Sequence, residues 1–168
     1  RIADIFWTAK RTVDLCSSEG FIWDGVKRDR LMWVGDLAPE AMALTAIYGR
    51  VPLLEKTLYL SRKIAPLPKY MNGIYTYSMW WIIILADYYK EFGCKDVVLK
   101  HLKYLINLIE QRNDLVDEQV DLCKTIRYLV DWPTKDSVDE LVGVRAIFLM
   151  AMNSAEELLN ACDCSTHT

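Results

Sequence analysis

The sequence predicts an all-α fold built from helical hairpins in two layers, and three observations carry that expectation. Apolar residues recur at helical spacing through most of the chain, with Gly and Pro as punctuation. Two segments, 75–92 and 138–160, are apolar almost all round, whereas the others show a single apolar stripe. In a simple bundle every helix keeps one wet face, so this alternation predicts an inner set of helices wrapped by an outer set. The third observation is a recurrence: Trp33, Trp81 and Trp132 lie 48 and 51 residues apart, a hairpin-length period that would place similar residues at one end of successive hairpins.

Each element has its own justification. The first helix, 2–16, carries Ile2, Ile5, Phe6, Ala9, Val13 and Cys16 on one stripe and is stopped by Ser17-Ser18-Glu19-Gly20. Residues 21–36 read as a loop with a short extended piece at 21–23. Asp36 stands as N-cap, with Pro39 and Glu40 in the first turn, for a helix that ends at Tyr48 before Gly49. Pro52 opens the next helix, through Ile64, and Pro66 and Pro68 break the chain. Tyr75 starts a helix that Gly93 stops; its centre, 79–86, must be covered on most sides. Segment 95–111 is amphipathic, with Val98, Leu102, Leu105, Ile106 and Ile109 inward and Lys100, Lys103 and Glu110 outward. Segment 114–128 reads either as a weak helix or as an excursion, and Leu129-Val130-Asp131-Trp132-Pro133 as a loop. Asp136 is the expected N-cap of the last helix, 138–160, with Asp139 and Glu140 in its first turn. The tail from Cys162 is polar and expected to fray.

Composition narrows the function classes. The chain has 168 residues, enough for a real core, and is 52% hydrophobic and 26% charged, which excludes a disordered segment. The net charge is -3 and the basic residues are scattered, which argues against nucleic acid as a partner. The longest apolar run, 79–86, is too short for a membrane span, so no membrane partner is expected. Five cysteines at unrelated spacings argue against a disulfide framework or zinc site and favour a reducing, cytoplasmic setting. Only two histidines are present, His101 on an expected outer helix and His167 in the tail, so neither a metal site nor a His-based triad is expected, and no cofactor. The chain begins at Arg1 and enters a helical pattern at once, which the reading takes as a piece of a longer polypeptide.

The segment 24–36 resists any periodic reading. It packs Asp24, Asp29 and Asp36, Lys27, Arg28 and Arg30, and Trp33 into thirteen residues. A helix would show charge on every side and a strand on both faces. A loop rich in acids and aromatics on a rigid scaffold is where binding and catalysis concentrate. Asp24, Asp29, Asp36, Asp131 and Glu140 are the carboxylates that the layering could bring together; two of them across a sugar-sized gap suffice for acid–base cleavage of a glycosidic bond. Capping and solvation account for the same residues, Asp36 and Asp136 above all. Six tryptophans offer flat platforms for sugar faces, and Trp23, Trp33, Trp80, Trp81 and Trp132 flank loops or lie near helix ends. Core packing accounts for Trp7 and for one of the adjacent pair Trp80 and Trp81, since helix neighbours point about 100° apart. Arg28 can hold Asp24 or Asp29 ionised, or form a surface pair of little consequence.

These residues carry a resemblance. Asp24-Gly25-x-Lys27-Arg28-Asp29-Arg30-x-x-Trp33-x-Gly35-Asp36 resembles the signature loop of the six-hairpin glycosidases, in particular the bacterial α-L-rhamnosidase family. Tyr77-Ser78-x-Trp80-Trp81 and Val130-Asp131-Trp132-Pro133 are similar to two further aromatic motifs of that family, in the same order. The resemblance implies an (α/α)6 barrel, of which residues 1–168 would supply about half, and an inverting hydrolysis of terminal α-L-rhamnosides. It implies Asp24, Arg28, Trp33, Asp36, Trp80, Trp81, Asp131 and Trp132 as substrate-binding residues. The family places a Glu shortly after the motif's Arg as proton donor; here Asp29 and Arg30 follow Arg28, so Asp29 is the candidate general acid. The family's general base falls in a later hairpin, outside this chain. Half a barrel would expose apolar surface, so its partners would be a carbohydrate substrate and either the rest of the barrel or a second copy. A non-catalytic carbohydrate-binding or scaffold domain, and a plain helical interaction domain, remain open alternatives.

Overall fold

A computed structural model describes residues 1–25, 31–113, 126–135 and 138–163. Among the described residues the chain is all-α apart from one two-stranded hairpin. Among the described residues the elements are α1 (Ile2–Cys16), β1 (Ser17–Ser18), β2 (Phe21–Ile22), α2 (Leu37–Tyr48), α3 (Pro52–Ile64), a 3-10 turn (Met71–Gly73), α4 (Tyr75–Phe92), α5 (Lys95–Asn113) and α6 (Val138–Ala161). The expected bounds of α1, α3 and α4 coincide with the observed ones, and Gly93 ends α4 in the left-handed conformation that glycine adopts without steric cost. Segment 114–125 and Asp136 lie outside the described residues.

The core is centred on α4, whose Met79, Trp81, Ile82, Leu85 and Ala86 are fully buried. It packs most extensively against α6, and also against α2 and α5. Trp81 is sealed in this core: its indole N–H donates to Leu58 O at 3.0 Å, and its ring meets His101 and Tyr104 edge-on. On α5 the buried stripe runs through Val97, Val98, His101, Leu105 and Leu108, with Leu102 and Ile109 partly covered. His101 thus lies on the inward face of that helix, and burial depresses its imidazole to about 4.

Two expectations about covered faces are corrected. No residue of α1 is buried: Ile2, Ile5, Phe6 and Trp7 are exposed, so Trp7 is not a core residue, and only the C-terminal half of the stripe leans on α2. Likewise α6 is covered along Glu140, Val144, Ile147, Ala151, Ser154, Ala155 and Leu158, while Val142, Leu149 and Met150 stand in solvent. An apolar circumference in sequence does not by itself specify a neighbour on every side.

Loops are tied to helices by side-chain hydrogen bonds. Ile22 N–H donates to Thr57 Oγ1 of α3 at 3.1 Å, which anchors β2. Asn72, in the 3-10 turn, accepts from Val34 N–H at 3.1 Å and donates to Met32 O at 3.0 Å. Residues 127–129 lie along the start of α4: Tyr75 N–H donates to Arg127 O at 2.8 Å and Thr76 Oγ1 to Leu129 O at 2.6 Å. Three segments distant in sequence therefore meet at the N-terminal end of α4.

Candidate functional site

At that end of α4 the structure has a cavity of about 140 Å³ lined by Asp24, Trp33, Asp36, Ile74, Tyr77, Arg127, Leu129 and Trp132. Each segment supplies its part for a local reason. The backbone N–H of Asp24 donates to Leu31 O, and the Asp24 carboxylate accepts the Leu31 N–H, both at 3.0 Å. Positions 24 and 31 are thereby held side by side. Trp33 begins a turn whose carbonyl accepts from Asp36 N–H and Leu37 N–H at 3.0 and 3.2 Å, leading straight into α2. Asp36 occupies the N-cap position of α2 but makes no side-chain capping bond. Its carboxyl sits at the cavity instead, raised above the usual range by desolvation and then by the Asp24 charge.

Tyr77 projects from the first turn of α4 and meets Trp33 edge-to-face, with ring centroids 6.2 Å apart. Burial raises its phenol, and so does Asp36, while the Arg127 guanidinium opposes both. Trp132, 72% exposed, forms an open wall on the other side. The result is two carboxyls, one guanidinium and three aromatic rings around one small concavity.

The sequence-expected site residues divide. Asp24, Trp33, Asp36 and Trp132 are brought together. Trp81 is not a binding residue: the fully buried indole is part of the core. Trp80 faces away, into a separate apolar cavity of about 350 Å³ between α2, α4 and α6. Asp131 is exposed and turned back on its own loop, where it accepts hydrogen bonds from the N–H and hydroxyl of Thr134 that lower its pKa. Glu140 is buried at the start of α6 and does not line the cavity. Arg28 and Asp29 lie outside the described residues.

Two residues that line the cavity were not among the expected binding residues, although Tyr77 stands in the second aromatic motif. Tyr77 and Arg127 line the cavity directly. Glu40, one helical turn after Asp36, is a half-buried carboxyl pushed up to about 8 by desolvation, with Asp36 and then Asp24 adding to the shift. The i, i+4 spacing of Asp36 and Glu40 was the available signal, because it places both carboxyls on one face of α2.

Among the described residues no group of three or more His, Cys, Asp or Glu side chains could hold a metal ion, and no helix is long and apolar enough to cross a membrane. No family model, curated protein or solved structure matches this chain.

Proposed function

We propose that the cavity at the N-terminal end of α4 binds the sugar of a glycoside. In this reading the chain is part of a glycoside hydrolase catalytic domain of α-L-rhamnosidase type, with its hairpins arranged as in an (α/α)6 barrel. One observation carries the proposal: Asp24, Asp36 and Arg127 converge with Trp33, Tyr77 and Trp132 on a single concavity. A sugar presents hydroxyls that donate to carboxylates and accept from a guanidinium, and C–H faces that lie against aromatic rings. The motif resemblance adds the reaction. Asp29 acts as general acid on the leaving oxygen, and a second carboxyl activates water from the opposite face at the roughly 6.5–9.5 Å separation that inversion requires. The exposed apolar faces of α1 and α6 then fall to the remaining hairpins or to a second copy.

Nitrophenol release from an aryl α-L-rhamnoside by the parent polypeptide that also carries the later hairpins, and by its Asp29→Asn variant, together with calorimetric titration of L-rhamnose, tests the proposal. Turnover that is lost in the variant, with rhamnose binding retained, is the expected result. Binding without turnover on any aryl glycoside would leave a carbohydrate-binding domain and remove the enzyme. Neither binding nor turnover would leave a helical interaction domain.

A further inference from the structure

The cavity of about 350 Å³ between α2, α4 and α6 is a trough along one face of α4, where Trp80, Ile84, Asp87 and Glu91 follow at i, i+4, i+7 and i+11. From Trp80 to Glu91 the helix runs for roughly 16 Å. The floor is carbon: Leu54, Ile83 and Ile84 are buried there, and the Trp80 ring is half-buried. Met42 of α2 and Met150 of α6 stand exposed on the rim, as unbranched side chains that adapt to what lies between them.

The polar groups of the lining are of two kinds. Thr45 donates to Met42 O at 3.3 Å within its own helix, and the Tyr88 hydroxyl is directed to Val51 O and Glu55 at 3.3 and 3.2 Å, so the fold satisfies both. Asp87 and Glu91, exposed at one end, are the charged groups of the trough, and no cation lines it with them. Lys90, between them in sequence, is committed to Glu157 of α6 at 2.6 Å and reaches Asp87 only at 4.0 Å. Among the described residues Glu91 has no ion-pair partner. Desolvation raises the Asp87 carboxyl above its ordinary range, with Lys90 opposing and Glu157 adding to the shift. A cation arriving at this end relieves that cost.

We infer that the trough binds an amphiphilic amine, with its hydrocarbon body along Trp80, Ile83 and Ile84 and its ammonium group at Asp87 and Glu91. The inference stands apart from the sugar-site reading, since the two cavities share no lining residue. The volume falls within the range of small-molecule sites. The charge selects the head group: a fatty carboxylate meets two like charges, a neutral alcohol leaves them uncompensated, and an ammonium forms charge-assisted hydrogen bonds to both.

The test titrates the chain at neutral pH and low ionic strength with octylamine, 1-octanol and octanoate, by calorimetry and tryptophan fluorescence. Octylamine is expected to bind about tenfold or more tighter than octanol, and octanoate more weakly than either. Hexylamine should bind more weakly than octylamine by about fourfold for each missing methylene, as burial of the chain requires. The double variant Asp87→Asn, Glu91→Gln, at two exposed positions and checked for fold by circular dichroism, should bring octylamine to the affinity of octanol and leave octanol within about twofold. Trp80→Phe should abolish the fluorescence change while calorimetric binding of octylamine persists, which places the ligand in this trough. Equal affinity for the amine and the alcohol, or an amine preference that survives the double variant, overturns the inference. A fluorescence change that survives Trp80→Phe overturns it by moving the amine elsewhere, and no binding of any of the three probes overturns it and leaves the trough as a packing face for another helix. None of these outcomes touches the sugar site.

Discussion

Gly35 lies flat against the ring of Tyr77: a Cβ at position 35 would come within 2.3 Å of Tyr77 Cε1 and 2.7 Å of Cδ1 and Cζ. The ring cannot retreat, because Tyr77 is only 8% exposed and Trp33 stands edge-on to it. The glycine is thus the residue that lets residues 33–36 settle on the first turn of α4 and place Trp33 and Asp36 beside Tyr77. Gly35→Ala is expected to cost about 1–3 kcal/mol, the usual range for overpacking. Adding Tyr77→Leu, which removes the ring, should make the double variant less destabilised than the sum of the singles. Urea denaturation of all four proteins measures this coupling; strict additivity would mean that the two residues do not press on each other.

Asn72 fixes the same loop from the other side. Its backbone has φ 53°, and its carboxamide holds both Met32 and Val34. Asn72→Gly keeps the backbone at ease and deletes both hydrogen bonds, so it should cost about 1–3 kcal/mol. Asn72→Ala deletes the same bonds and adds left-handed strain of about 1 kcal/mol, so it should be the less stable of the two. Chemical denaturation ranks them, and a Gly variant as stable as wild type would show that the clamp contributes nothing.

Glu40 sets an alkaline limb of stability. Its folded pKa, about 8, lies above its ordinary 4.5, so the folded chain holds this proton more tightly than the unfolded chain. The contribution is complete below about 4.5 and is lost as pH rises through about 8. After allowance for screening, the loss is expected to be about 1–3 kcal/mol. Glu40→Gln cannot ionise, so its melting temperature should match wild type near pH 5 and exceed it by about 3–8 °C near pH 9. Melting curves across that range decide; parallel curves for the two proteins would refute a buried, proton-holding Glu40.

His101 works in the opposite direction. Burial beside Trp81 depresses its folded pKa to about 4, below the ordinary 6.5, so the folded chain resists protonation there. Stability from this group is complete above 6.5 and is lost as pH falls towards 4. His101→Phe keeps a ring against Trp81 and should flatten the melting temperature between pH 7 and pH 4. A variant that loses stability with acid as steeply as wild type would place the acid limb elsewhere.

How much of this was legible in the sequence follows from the range of each interaction. Helix bounds were readable because Gly49, Pro52 and Gly93 act on their own neighbours in the chain. His101 was readable by spacing, since it sits three or four residues from Val97, Val98 and Leu105 on one stripe. The burial of α1 and α6 was not readable, because periodicity gives the orientation of a face and not the presence of a neighbour. The cleft was half readable. Asp24, Trp33, Asp36 and Trp132 stood out by type and grouping and Tyr77 stood in an aromatic motif, whereas Arg127 and the Asn72 clamp act across 38 residues or more and leave no local signature.

The tryptophans give the sharpest separation between site and scaffold, because the sequence assigns one of Trp80 and Trp81 to the core without saying which, and leaves Trp132 to the site. Trp81 is fully buried with its N–H bonded to Leu58 O, so Trp81→Ala should cost about 3–5 kcal/mol and unfold much of the protein at moderate temperature. Trp132 is 72% exposed at the cavity wall, so Trp132→Ala should leave the melting temperature within about 2 °C of wild type, as for an exposed residue with few contacts. If the cavity takes a sugar, that variant should also weaken methyl α-L-rhamnoside binding about tenfold or more, a loss of one stacking wall. Trp80 lines the apolar cavity on the other side of α4, so Trp80→Ala should leave sugar affinity unchanged whatever it does to stability. Calorimetry and melting curves on the three variants give six readings. Affinity that fell with Trp80 and not with Trp132 would move the binding site to the α2–α4–α6 cavity.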